Sequence, residues 1–378
     1  MKNPLMNEDY IDGLPQSVYE NLQLQNEFII ETICKRIDEI GTISPSDAHR
    51  LTAAYYAGAD MDKINKEIAR ITNKNLAEIE RIYRQVGEDN AAFGKALYEF
   101  KNMPFIPFES NGAIQSMVYA MSKITKGEYI NLSRTAGFVS RDGKPLTIRQ
   151  QYIKAIDRAL TAVATGNADY HSEMRRIIKE MAASGYRAIN YESGYSRRMD
   201  SSVRQNILTG IKDISQEMQN DIGQAVGADG YEISYHSNPR PTHADMGGRQ
   251  YSREEFYRQG IDILLQDYNC YHIAFNIIMG ISSPNHGKAE LAKLKAKDTK
   301  TYEWHNRQIT GYQATQIQRK YETEIRRLKE EQAALKAAGD TVGRHIVQSK
   351  INSVSGEYTR FSSSVNLSVK HDRKSIIK

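Results

Sequence analysis

The chain has 378 residues, 40% of them hydrophobic, enough for two or three domains with ordinary cores; its start, MKNPLMNEDYIDGL, has no apolar run behind a basic end, and its most apolar later stretch, residues 271–281, is about half of the ~20 residues a membrane span needs, so a soluble chain with no membrane contact is expected. Only Cys34 and Cys270 are present, far apart and in unlike contexts, which argues against a disulfide framework and for folding in a reducing, intracellular setting. The net charge of +5 conceals an asymmetry: residues 286–378 carry 19 Lys and Arg against 10 Asp and Glu, or +9, and the rest carries 32 against 36, or −4, so a polyanion contact is expected of the last quarter if anywhere.

In chain order, residues 26–41 place Phe28, Ile29, Ile30, Ile33, Ile37 and Ile40 on one wide helical face, and Gly41 follows as a stop. Ser44 or Ser46 is positioned to cap a next helix that Gly58 would end. Further short helices are expected around Met61, Ile64, Ile68 and Ile71, and, after Asn73 and Lys74, around Leu76, Ile79, Ile82, Tyr83 and Val86. The run from Lys101 to Pro107 breaks the periodicity and reads as a hinge. Residues 113–123 predict a helix, and residues 131–146 predict loop and turn with one short strand pair.

Residues 149–164, with Ile153, Ile156, Ala159, Leu160 and Val163 in register and Gly166 behind them, predict a helix; residues 172–183, closed by Gly185, predict its antiparallel neighbour. A loop over residues 186–195 follows. A long helix is then predicted over residues 199–226, with Val203, Ile207, Ile211, Ile214, Met218 and Ile222 inward. The period changes after Gly227, where Tyr231, Ile233 and Tyr235 alternate with Glu232 and Ser234 as in a half-buried strand. The Pro- and Gly-rich loop NPRPTHADMGGRQYS comes next, and residues 231–283 are the one stretch that reads as mixed α and β. Residues 313–338 predict a helix with Ile317, Tyr321, Ile325, Leu328 and Leu335 on one face, which needs a partner surface, more economically the rest of this chain than another subunit. The Ser-rich basic segment from Gly343 on is expected to order only within an assembly.

These blocks carry a resemblance. ICKRIDEIGTISPSDAHRLTAAYYAGADMDKINKEIARITNKNLAEIERIY near the start, YIKAIDRALTAVATGNADYHSEMRRIIKEMAASGYRAINYESGYSRRMDSSVRQNI in the middle, then ISYHSNPRPTHADMGGRQYS, YNCYHIAFNIIMGISSPNH and ITGYQATQIQRKYETEIRRLK in the same order resemble phage minor capsid protein 2, a family related to the Mu F-like head morphogenesis proteins. The loop after His243 departs from the family pattern at Ala244 to Gly247, and Tyr271 stands where a basic residue is usual. The resemblance implies a structural virion protein of a tailed-phage head, made in the bacterial host cytoplasm and docked at or near the portal protein and the major capsid protein, where it assists head assembly or DNA delivery. It implies no catalytic residue.

Read from the residues themselves, the mixed stretch concentrates His236, His243, Cys270 and His272. Imidazole and thiolate together suit zinc, but His236 and His243, seven positions apart, and Cys270 and His272, two positions apart, match no standard zinc spacing. The expectation is therefore no cofactor: Arg240, His243, Cys270 and His272 hold two loops together by hydrogen bonds, with zinc on His236, His243, Cys270 and His272 as the alternative. A metal-dependent or thiol hydrolase or nuclease built on His243, Asp245 or Cys270 is a second function class. A third is DNA binding through Lys288, Lys293, Lys295, Lys297 and Lys300, beside Tyr302 and Trp304, with packaged DNA as the partner. The expected fold is mainly α with a small α+β module: an N-terminal helical bundle (1–105), a middle helical bundle (106–226), a compact α+β module (227–305), a long amphipathic helix (306–340) and a basic tail (341–378).

Overall fold

The computed structural model describes residues 4–166, 170–267 and 270–370. Among the described residues helices dominate, with nine short strands in three small sheets, so the expected mainly α class with a small α+β module holds. Two compact units emerge, and neither is contiguous in sequence. One comprises Met1–Ser17, Leu76–Glu128 and Arg204–Gln316; the other comprises Val18–Asn75, Tyr129–Val203 and Ile317–Lys378. The five successive stretches taken from sequence are cuts along the chain, whereas these units recruit stretches far apart in it.

The second unit is helical around a four-stranded antiparallel sheet. Strands β1 (Ala136–Val139), β2 (Pro145–Thr147), β3 (Arg187–Ile189) and β4 (Ser196–Arg198) lie in the order β2-β1-β3-β4. The strand pair expected in residues 131–146 is the β1–β2 hairpin, but the loop expected over residues 186–195 is in part strand, because β3 pairs with β1 as well as with β4. Gly137 is obligatory there, since a Cβ would sit 2.2 Å from the Leu146 carbonyl. The helix Ile148–Thr165 begins with Thr147 and Gln150 in a reciprocal capping box and ends at Gly166 in the left-handed conformation, as its sequence signals require.

The unit's interior carries charge as well as hydrocarbon. Asp60 accepts two bonds from Arg36, at 2.8 and 3.1 Å, and a third from the Tyr152 hydroxyl at 2.6 Å; these partners hold its carboxyl below the usual range against the upward push of burial. Deeper still, Arg198 is forked onto Glu330 and lies 3.7 Å from Asp200, which Arg326 also approaches at 3.6 Å. The helix Gly311–Ala337 finds its partner inside this unit: Tyr321 packs on Tyr358 and Phe361 of the helix Thr341–Ser364, Gln318 donates to Ser362, and Glu322 accepts from Tyr358. The segment expected to be unstructured alone is thus helical to Ser364. Asp340 caps it and Arg175 holds Asp340.

The N-terminal third corrects another expectation. Gly58 and the Asn73–Lys74 pair do not end helices; one helix spans Ala53–Phe100. A Gly in mid-helix costs roughly 1 kcal/mol relative to Ala, and a buried stripe running through Ala57, Met61, Ile64, Ile71, Ile79, Tyr83, Val86 and Leu97 outweighs that cost. The two asparagines in the stripe are satisfied. Asn75 donates to Tyr129 and accepts from Asn21, while Asn90 donates to Ser215 and accepts from Gln219.

In the first unit, strands β5 (Gly230–Ile233), β6 (Gln250–Ser252) and β7 (Ala274–Ile277) form an antiparallel sheet in the order β6-β5-β7. β5 is its centre, and the half-buried alternation expected around Tyr231 does not occur: Glu232 and Ser234 are buried too. Glu232 survives there because Asn285 N–H and Gln250 Nε2 donate to it, at 2.7 and 3.1 Å. The helix Met199–Val226 forms over the predicted span with all six predicted inner residues buried. Its Gln216 and Gln219 accept from Ala274 and Asn276 N–H, satisfying the outer edge of β7. A lysine-rich helix, Lys288–Asp298, and a hairpin of β8 (Thr301–Trp304) with β9 (Arg307–Thr310) complete the unit. Among the described residues no helix is long and apolar enough to cross a membrane.

Candidate functional site

A core of Tyr231, Ile233, Met246, Tyr251, Phe256, Ile261, Leu265 and Ala274 lies under the sheet, and Cys270 belongs to it. The chain leaves β5, makes a single helical turn at Pro241–His243 with proline opening it, and returns through two glycines to β6. That turn buries His243 to 1% exposure. The short segment before β7 delivers Cys270 and His272, both buried. One ligating atom from each of His243, Cys270 and His272 lies within 4.8 Å of the other two.

Each member has a distinct environment. His243 Nε2 is 2.9 Å from Asp267 Oδ2, and Arg240 approaches the same oxygen at 3.9 Å. Asp267 therefore selects which imidazole nitrogen of His243 carries the proton and leaves the other free to accept. Cys270 Sγ lies 3.6 Å from His272 Nδ1. Burial pushes the Cys270 thiol up, partly opposed by a backbone bond and by Lys212 and Arg240. An activated nucleophile needs the opposite shift. His272 is held well below the ordinary imidazole range by burial, and His236, His243, Arg240 and Lys212 add to it. Its Nε2 is buried without a hydrogen-bond partner. Such an atom costs about 1–3 kcal/mol unless something outside the protein engages it.

His236 is drawn near but not into the cluster. Its ring stacks on His272 with centroids 4.2 Å apart, Ser234 Oγ lies 3.3 Å from its Nε2, and burial lowers its pKa. The four-residue set considered from sequence thus becomes three ligand candidates and a stacked neighbour. Asp267 was missed. Its signal was faint: a carboxylate three residues before Cys270, whose N–H donates to the Asp267 carbonyl at 2.9 Å.

The five lysines do not act alike. Lys288, Lys293, Lys297 and Lys300 are exposed, and the helix Lys288–Asp298 buries no residue. Lys295 instead donates to the Ala244 and Asp245 carbonyls, at 3.2 and 2.6 Å, and burial lowers its pKa. It fastens the loop that carries His243. Tyr302 and Trp304, half-buried on β8, follow the lysines in the chain.

A protein-family model described as phage minor capsid protein 2 matches residues 6–362, nearly the whole chain. No curated protein and no solved structure matches.

Proposed function

This chain belongs to the phage minor capsid protein 2 family, a minor structural component of the phage virion, and from that premise we propose that it docks at or near the portal and the capsid interior, on portal and major capsid subunits, and assists head assembly or DNA delivery. The observation that carries the reading is the extent of the match, which takes in both compact units rather than one detachable module. Support comes from apolar side chains left in solvent: Phe100, Ile106, Tyr119 and Ile124 of the first unit are each at least half exposed. Large apolar and aromatic groups of this kind serve as anchors in subunit interfaces.

The test is genetic and compositional. Phage lacking the gene are expected to yield few infectious particles, and the protein is expected in DNA-filled heads by mass spectrometry and in complex with the portal when the two are co-expressed. Normal infectious particles without the protein would refute the reading. Retention in emptied shells would mark it as a fixture of the head, and loss on ejection as cargo that leaves with DNA.

One observation favours a second reading, contact with packaged DNA. Lys288, Lys293, Lys297 and Lys300 are solvated cations on or just beyond one helix, which suits sequence-independent phosphate contact. Salt-sensitive retention on duplex DNA that weakens when these four are replaced by Gln would support it; no binding at low salt would remove it.

A further inference from the structure

The geometry points to a transition-metal site of the zinc class in the first unit, formed by Cys270, His272 and His243, which ties the loop between β5 and β6 to the segment entering β7. Three independent features meet there. The first is convergence: three buried groups of ligating type, from two stretches of chain, bring their donor atoms within 4.8 Å of one another. The second is spacing. A tetrahedral zinc with Zn–S of about 2.3 Å and Zn–N of about 2.0–2.1 Å sets sulfur and nitrogen about 3.5–3.6 Å apart, and Cys270 Sγ and His272 Nδ1 are 3.6 Å apart. The third is the surrounding set. Asp267 accepts from His243 Nε2 in the carboxylate–histidine arrangement that fixes a ligating imidazole and leaves its Nδ1 for the metal.

One thiolate with two imidazoles selects a borderline-soft ion, so zinc or cobalt is favoured over magnesium or calcium. Three protein ligands leave the fourth tetrahedral position to a small non-protein ligand. The burial of all three side chains makes the site a staple. Binding deprotonates the thiol and releases one proton to solvent, with no change of oxidation state.

The full-length protein is the sample, produced with zinc in the medium and purified without chelator or polyhistidine tag. Elemental analysis is expected to find close to one zinc per chain. Replacement by cobalt is expected to produce a thiolate-to-cobalt charge-transfer band in the near ultraviolet. C270S should abolish that band, H243A and H272A should weaken metal retention by an order of magnitude or more, and H236N should keep the metal, with circular dichroism checking that each variant is folded. Folded wild-type protein without stoichiometric metal, and without the band under excess cobalt, overturns the proposal whatever the variants do. Loss of the metal in folded H236N overturns the three-residue assignment.

Discussion

The two units bury polar chemistry in opposite ways. In the second unit, Arg198, Glu330, Asp200 and Arg326 bring charges of both signs into the interior and neutralise them within the chain. In the first unit, Cys270, His272 and His236 sit in a dry setting that favours their uncharged forms, and His272 retains an unengaged nitrogen. A buried ion network balances its charges as soon as the chain folds, although Arg198 Nε and Asp200 Oδ2 also lack hydrogen-bond partners. A cluster of imidazoles and a thiol is left able to receive something the chain does not supply.

The largest effect is expected from breaking the ion network. Arg198→Met leaves Glu330 and Asp200 buried with less compensation, a class of change that costs about 3–5 kcal/mol. Urea denaturation is the measurement, and pairing the change with Glu330→Leu should recover much of the loss; an Arg198→Met protein as stable as the parent would break the comparison.

A pH experiment probes the same unit. Glu27 is pushed up from the ordinary 4.5 to about 8 by burial, with Glu330 and Glu31 adding to the shift. Its folded form holds the proton more tightly than its unfolded form, so its contribution to stability is full below pH 4.5 and is lost as pH rises through about 8. Glu27→Gln should therefore be near neutral in acid and stabilising above pH 8, by about 1–3 kcal/mol once solvent screening at this half-buried position is allowed for. Parallel stability–pH curves for the two proteins would remove Glu27 from the network.

Smaller changes are expected in the uncharged cluster. After chelation, His272→Phe should leave stability within about 1 kcal/mol of the equally treated parent, because it removes an unengaged buried nitrogen along with a packed ring. A loss as large as that of Arg198→Met would show that the imidazole is already fully used by the protein. The smallest effect belongs to the exposed lysines: Lys293→Gln with Lys297→Gln should shift thermal stability by no more than about 0.5 kcal/mol, while lowering any salt-sensitive retention on DNA.

Much of this could be read from residue order. The helix Met199–Val226 and its inner face, the stop at Gly166 and the β1–β2 hairpin follow from local periodicity and turn chemistry. His243, Cys270 and His272 were recognisable as residue types in one stretch. Their convergence was not, because seven- and two-residue spacings say nothing about a turn that folds one loop onto another. Lys295 shows the same limit: among five similar lysines, only its packing against the Ala244–Asp245 backbone separates it from its neighbours.

By itself the sequence determined the helical class, the family and the ends of the helices Ile148–Thr165, Tyr170–Ser184, Met199–Val226 and Gly311–Ala337, since these depend on side-chain period and on caps within a few residues. Tertiary structure alone decided that Gly58 lies inside one long helix, that Glu232 is buried at the centre of a sheet, that the segment after Asp340 is helical, and that Asp267 partners His243. Each of those outcomes turns on burial against residues remote in the chain, where packing and hydrogen-bond satisfaction outweigh local preference by more than the roughly 1 kcal/mol that a single propensity contributes.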